Sequence, residues 1–434
     1  MATRRTFLKS AAMCAPATAL GNEAAFAQTL SPAGNKLAPN SIAVADLPKF
    51  YDVELGIHNL ENGYWGIMPR PVAETYAQQT AFVNRTNSIW ARNVLPGGAC
   101  LAAGGRESRA ALASMVGVGV DEVAITRSGS DALQHLITSY KPLKPGDAVI
   151  YGDLDYDAMI AAMDWLGDHR GAQVVKFNMP EPATTANILA AYDDVLKETP
   201  HAKLLLVTQV SNRTGLVTPV KEIVAMARNR GVDCIVDIAH GVACLDFQME
   251  DLGCDFAGWS VHKWTSAPLG LGAMYIRKSR LADIDVAYDN HDLPADDISA
   301  RVPAGTVNFA AVLSIPKAVE FHHAVGGAAK EKHLRALRDR WVAQARQLKS
   351  IEICVPDDAA RYCAITSFRL AGMHTNEDAE RVQHVLFEKH RVHTVWRKGV
   401  AKGPVIRVTP GLYSTMADVD ALASALQEEQ GMFL

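Results

Sequence analysis

Nowhere does the 434-residue chain carry an uninterrupted apolar run of about 18 residues, so no segment reads as a membrane-spanning helix or a stable membrane anchor. An excess of positive charge is also missing. Forty-three basic residues face 47 acidic ones, a formal charge of −4, which gives no global field for nucleic acid or an anionic membrane. Cysteine is sparse, and the six that follow Cys14 (Cys100, Cys234, Cys244, Cys254, Cys354 and Cys363) form no C-x-x-C pair and no His/Cys cluster at zinc spacing. A metal site is therefore not expected. No internal repeat, coiled coil or low-complexity tract stands out. What remains is a chain that is 49% hydrophobic, enough for a large buried core, with a small molecule as its expected partner.

The first residues read as an address. Arg4-Arg5-Thr6-Phe7-Leu8-Lys9 precedes a short Ala-rich apolar run and then Ala25-Phe26-Ala27, which is the order of a twin-arginine signal (residues 1–27) with cleavage after Ala27. The mature protein is expected in the periplasm, with the twin-arginine translocase as a transient partner. A cargo of that route folds first in the reducing cytoplasm, so the cysteines are expected as buried free thiols.

Apolar runs alternate with amphipathic stretches, the pattern of repeated βαβ units. Strands are expected at Val123–Thr126, Ala148–Tyr151, Gln173–Phe177, Leu204–Thr208, Cys234–Ile238, Gly258–Val261 and Ala273–Ile276. Helices are expected at Asp131–Tyr140, Ala158–Gly167, Ala186–Lys197 and Val220–Asn229. Beyond about Gly305 a long charged helix is expected through Arg346, with His322, His323 and His333 on its solvated face. Shorter strands (351–355, 364–370, 404–408) and helices (377–389, 417–428) follow. The expected organisation is an N-terminal segment (28–75), a large α/β domain with a mostly parallel seven-stranded sheet (76–305) and a smaller C-terminal α+β domain (306–434).

Two strand ends carry the chemistry. Asp237-Ile238-Ala239-His240 ends one apolar strand, and Ser260-Val261-His262-Lys263-Trp264 ends the next. Both groups then project from the carboxyl edge of the sheet, where doubly wound folds bind ligands. A lysine shielded there by Trp264 loses solvation as ammonium, which lowers its pKa and frees an amine nucleophile. Thr126-Arg127-Ser128-Gly129-Ser130-Asp131 is a strand end, a small-residue turn and a helix start, a place suited to a phosphate dianion.

The Asp-x-Ala-His and Ser-x-His-Lys pair resembles the class V aminotransferase superfamily, whose fold is pyridoxal-phosphate (PLP) fold type I. The resemblance spans nearly the whole mature chain, from Asn59-Leu60-Glu61-Asn62-Gly63-Tyr64-Trp65-Gly66 to Ile406-Arg407-Val408-Thr409-Pro410-Gly411-Leu412-Tyr413. These flanking motifs lean toward the isopenicillin N epimerase-like branch. In signal plus fold the chain also resembles exported enzymes that tailor pyoverdine siderophores.

The resemblance implies PLP as cofactor, bonded to Lys263, with Asp237 on the pyridine nitrogen. It places Gly129, Ser130, Ser260 and His262 at the phosphate, Asn212 and His240 near the phenolic oxygen, and Tyr156 on the ring. Thr306, after Gly305, would reach the neighbouring subunit's phosphate in a homodimer. Arg407 and Asn62 would bind substrate, Arg407 through a carboxylate. A desulfurase cysteine is absent between Val392 and Pro404. The implied activity is transamination at Cα of an amino-acid moiety. Epimerisation, β-elimination from a cysteine derivative and a non-catalytic PLP-binding sensor are the alternatives.

Overall fold

A computed structural model describes residues 36–95, 100–290 and 293–433; the segment read as an export signal lies outside the described residues. Strand β1 (His58–Asn59) precedes helices α1 (Arg70–Ala91) and α2 (Leu101–Val116), neither of which the sequence pattern announced. The core βα succession then runs β2 (Val123–Thr126), α3 (Gly129–Thr138), β3 (Ala148–Gly152), α4 (Asp157–Arg170), β4 (Gln173–Phe177), α5 (Thr185–Glu198), β5 (Ala202–Thr208), α6 (Val220–Arg228), β6 (Asp233–Asp237), β7 (Phe256–Ser260) and β8 (Gly272–Ile276). Strand ranges agree with the sequence pattern to within about two residues, because runs buried on both faces must be nearly continuous in apolar residues. The side chains of β3, β7 and β8 are all buried.

The seven strands form one sheet in the order β2-β8-β7-β6-β5-β3-β4, parallel except for β8, which runs against both neighbours. Register decides what meets at the carboxyl edge. Thr208 pairs with Asp237, Asp237 with Gly258, and Gly272 with both Ser260 and Thr126. The loop ends of β2, β6 and β7 thus converge on one rim. Two of these helices begin where a side chain satisfies a free N–H group of the first turn: Ser128 caps α3 and Thr184 caps α5.

The second half departs from the expected single charged helix. It is two helices, α7 (Phe309–Val325) and α8 (Gly327–Ala345), broken at Gly326, whose φ of +87° is a left-handed conformation that suits glycine. Helix α7 is largely apolar and packs on α1 and α2. His322 is consequently buried rather than solvated, and the ring Nε2 of His333 is buried as well. Charge along α8 had masked the apolar spacing of Leu334, which joins the core of the large sheet, and of Leu337, Trp341 and Val342, which face the C-terminal core.

That core is closed by β9 (Ile351–Ile353), β10 (Thr366–Leu370), α9 (Asn376–His390), β11 (Val392–His393), β12 (Val395–Arg397), β13 (Val405–Val408) and α10 (Met416–Glu429). The antiparallel sheet has the order β12-β13-β10-β9. Strand β1 pairs in parallel with β11, so residues from the start of the described chain complete the C-terminal unit.

The two units lock together around the loop after β5. Ser367 donates its hydroxyl to Arg213 O at 2.6 Å, and Arg213 itself donates to Gly399 O at 2.6 Å. Gly215, at φ +80°, lies so close to the backbone of Ile365 that an added Cβ would sit 2.0 Å from its carbonyl oxygen. Gly215→Ala should therefore lower unfolding stability by at least about 1 kcal/mol, through strain and overpacking together. Urea denaturation is the check, and an unchanged midpoint would show that the two units are not held at this contact.

Candidate active site

At the rim Lys263 lies in the loop after β7, with its amine 3.0 Å from His240 Nε2. Among the described residues it has no carboxylate in salt-bridge contact. Burial pulls the Lys263 pKa down to about 8; Asp237 and Glu61 oppose that shift, whereas the Arg407 and Arg397 charges deepen it. His240 is buried, and desolvation followed by the Lys263 charge holds it well below its ordinary range. Its other nitrogen, Nδ1, accepts from the indole N–H of Trp264 at 3.3 Å.

Asp237 ends β6 and accepts the Ala239 N–H at 2.8 Å. Burial raises its pKa, against the pull of that hydrogen bond and of Lys263. Behind it Asp155 accepts the Thr208 hydroxyl at 2.6 Å and is pushed by burial to about 7.

The anion cradle is built where β2 turns into α3. Gly129 opens the helix and its N–H points to Ser260 Oγ at 3.3 Å. A Cβ on Gly129 would stand 2.7 Å from that hydroxyl, and one on Gly272 would stand 2.1 Å from the Ser128 carbonyl carbon. Two glycines thus let the turn lie directly on the ends of β7 and β8. Ser130 occupies the next helical position, where the positive end of the α3 dipole favours an anion. His262 uses Nδ1–H on Leu271 O at 2.9 Å, and burial, with the Lys263 charge, lowers its pKa to about 4. It can donate toward an anion only from Nε2, in a protonated form that a neighbouring dianion would itself favour.

Arg407 on β13 is 1% exposed. It donates to Asn212 O at 2.8 Å and pairs with Glu61, while burial lowers its pKa to about 10. Gly63 makes room for the guanidinium, since a Cβ there would meet Arg407 Nη2 at 2.6 Å. Asn62 is buried beside it, its N–H bonded to Thr409 O at 2.9 Å. Asn212 is also buried, and its side-chain oxygen has no hydrogen-bond partner. Tyr156 immediately precedes α4, is 38% exposed, and lies within electrostatic reach of Arg407.

The structure thus gathers Lys263, Asp237, His240, Gly129, Ser130, Ser260 and His262 on one sheet rim, with Arg407, Asn62 and Asn212 across the domain junction. Thr306 stands apart: it is exposed, with no hydrogen bond to the Lys263 cluster within the described residues. Two charged groups went unassigned in the sequence. Glu61 sat inside the Leu60-Glu61-Asn62-Gly63 motif, but only the chain's return at β13 reveals its partner. Arg397 ends β12 outside the recognised motifs, and its charge reaches both Lys263 and His240.

Residues 70–422 match the family model described as Aminotransferase class-V. Isopenicillin N epimerase of Streptomyces clavuligerus is 26% identical over 342 residues, covering 75% of this chain and 84% of that protein. Among solved structures, the apo cysteine desulfurase of Thermococcus onnurineus NA1 superposes with a TM-score of 0.78 at 19% identity, covering 91% of this chain and all (100%) of that one. A C-DES variant with glycine covalently linked to its PLP cofactor gives 0.74 at 18% identity, over 89% of this chain and 99% of that one. At these identities the structural likenesses speak for the fold.

The Glu61–Arg407 pair supports a stability test. Removing one charge of a buried pair leaves the other uncompensated, at a cost of about 3–5 kcal/mol, whereas exposed pairs contribute about 0–1 kcal/mol. Glu61→Gln should therefore destabilise the protein far more than Asp46→Asn, which breaks the exposed Lys49–Asp46 pair. Equal losses in urea denaturation would contradict a buried pair.

Proposed function

Since this chain belongs to the aminotransferase class-V family, we propose that it is an exported transaminase acting at the Cα of an amino-acid moiety in a small molecule or peptide metabolite. It is a PLP-dependent enzyme, and its residues fit that cofactor. The two glycines seat the start of α3 on the ends of β7 and β8, which brings the Gly129 N–H and the Ser260 hydroxyl together at a helix N-terminus that favours an anion. The unpartnered Asn212 oxygen is a buried polar atom that a ligand can satisfy. The observation that carries the reading is Lys263, an amine hydrogen-bonded to an imidazole instead of a carboxylate and lowered to about 8.

When bound, PLP draws electrons from the substrate bond that breaks at Cα. Gly129, Ser130, Ser260 and His262 would hold its phosphate, Asp237 the proton of its pyridine nitrogen, and Asn212 and His240 its phenolic oxygen. Tyr156 would cover the ring. Lys263 would take the proton from the substrate Cα and, for amino transfer, deliver it to a different carbon, whereas its return to Cα would belong to epimerisation; either task suits a base with a pKa near working pH. Arg407 fixes a substrate carboxylate with the N–H groups that Glu61 and Asn212 leave free, and Asn62 borders that place. Thr306 acts in a homodimer, on the phosphate of the neighbouring subunit.

Likeness to isopenicillin N epimerase supports epimerisation as a second reading. Persulfide transfer has less support, since the loop from 398 to 404 holds no cysteine. The reactions separate on amino acids and peptide metabolites supplied with and without a 2-oxo acid. Ping-pong amino transfer is the expected result; deuterium wash-in with inversion would replace it by epimerisation, and release of ammonia with a 2-oxo acid by elimination. Borohydride should discharge the visible band and leave the reduced adduct on Lys263, and a label on another lysine would remove the basis of the assignment.

Export rests on Arg4-Arg5 and the Ala-rich run behind them. Replacing both arginines by lysine should hold the folded, cofactor-loaded protein in the cytoplasm. Cell fractionation is the measurement, and undiminished periplasmic delivery would refute the route.

A further inference from the structure

Trp264 follows the reactive lysine, is 2% exposed, and is held at both ends. Its carbonyl accepts from Lys330 Nζ at 3.1 Å, a buried lysine on α8 that also contacts His322 Nδ1 at 3.2 Å. Its indole N–H meets His240 Nδ1 at 3.3 Å, and His240 Nε2 meets the Lys263 amine at 3.0 Å.

Counting protons along this chain leaves few arrangements. An indole N–H can only donate, so Nδ1 of His240 must be the acceptor. A neutral imidazole then carries its proton on Nε2, and Nε2–H needs an acceptor at Lys263. An ammonium has no lone pair; an uncharged amine does. If Lys263 were instead to donate to Nε2, the ring proton would move to Nδ1 and face the indole N–H, two donors head to head. Doubly protonated His240 is opposed by its burial and by the Lys263 charge.

We propose that Trp264 is a positioning residue for the reactive lysine: its indole N–H fixes the His240 proton on Nε2, and that N–H donates to Lys263 and keeps its amine uncharged and ready to attack.

The other groups around the amine do not supply this proton selection. Asp237 at the end of β6 and Glu61 after β1 favour the charged form, and Arg407 on β13 and Arg397 on β12 disfavour it by charge alone. His262 beside it directs its own N–H to Leu271. Only His240 touches the amine among the hydrogen bonds of the described residues. Lys330, reaching across from α8, holds the indole's backbone in place.

The test reads the lysine itself and is independent of which reaction the enzyme catalyses. The full chain, freed of cofactor with hydroxylamine, is exposed to trace isotopic acetic anhydride from about pH 6 to about pH 10, and mass spectrometry follows labelling of Lys263. The wild type should titrate at about 8. Two replacements of Trp264 are compared, each checked by circular dichroism. One is Trp264→Phe. The other is 3-benzothienylalanine, which keeps the two-ring shape and carries sulfur where the indole has N–H. Loss of the hydrogen bond should raise the Lys263 midpoint by about half to one pH unit in both, the shift that one net hydrogen bond supports. If phenylalanine fails to fold, the sulfur isostere decides alone. An unshifted or lowered midpoint in the isostere overturns the proposal, and a shift with phenylalanine alone assigns the effect to packing and overturns it equally.

Discussion

The site depends on the register of β6 against β7. Asp237 faces Gly258 across that ladder, so the chain leaving β6 and the chain leaving β7 emerge side by side. A slip of one residue would exchange the faces to which Asp237 and its neighbours point, because side chains alternate along a strand. The register is protected by apolar packing on both faces: Ile235 lies in one cluster, whereas Val236 and Trp259 lie in the other. Burial that secures the strands also strips water from the rim, and desolvation is the leading cause of the shifts at Lys263, Asp237, His240 and His262.

Much of this was legible in the sequence, for a physical reason. A strand covered on both faces must be apolar throughout, so β3, β7 and β8 could be bounded to within about two residues. The chemistry at strand ends was equally visible, since Asp237 and Lys263 are polar residues at the close of such runs. The α7/α8 break was less so: the Gly326-Gly327 pair that marks it lies between two long helical stretches, and buried His322 and Lys330 look like surface residues until α7 is seen against α1 and α2. Pairing between β1 and β11 could not be read at all, because two residues of extended chain carry no periodicity.

Charge at the domain junction follows from the same limits. Arg407 and Arg397 place two guanidinium groups near a single glutamate, with Glu61 contacting Arg407 closely and Arg397 at 4.0 Å. Two guanidinium charges against one carboxylate leave the local balance at the junction positive. The arrangement joins residues that lie more than 300 positions apart in the chain.

The parallel pairing of His58 with Val392 has a consequence for biogenesis. On the ribosome β1 emerges early and has no strand to join until the last part of the chain has been made. The large sheet can collapse first from its nearer βα neighbours, while the long-range closure waits, the kind of contact that forms slowly. Glu61 and Arg407 meet only at that late step, so a nascent or truncated chain can own a well-packed sheet and still lack the Glu61–Arg407 pair. Completion of this junction thereby reports that the chain has been made through β13.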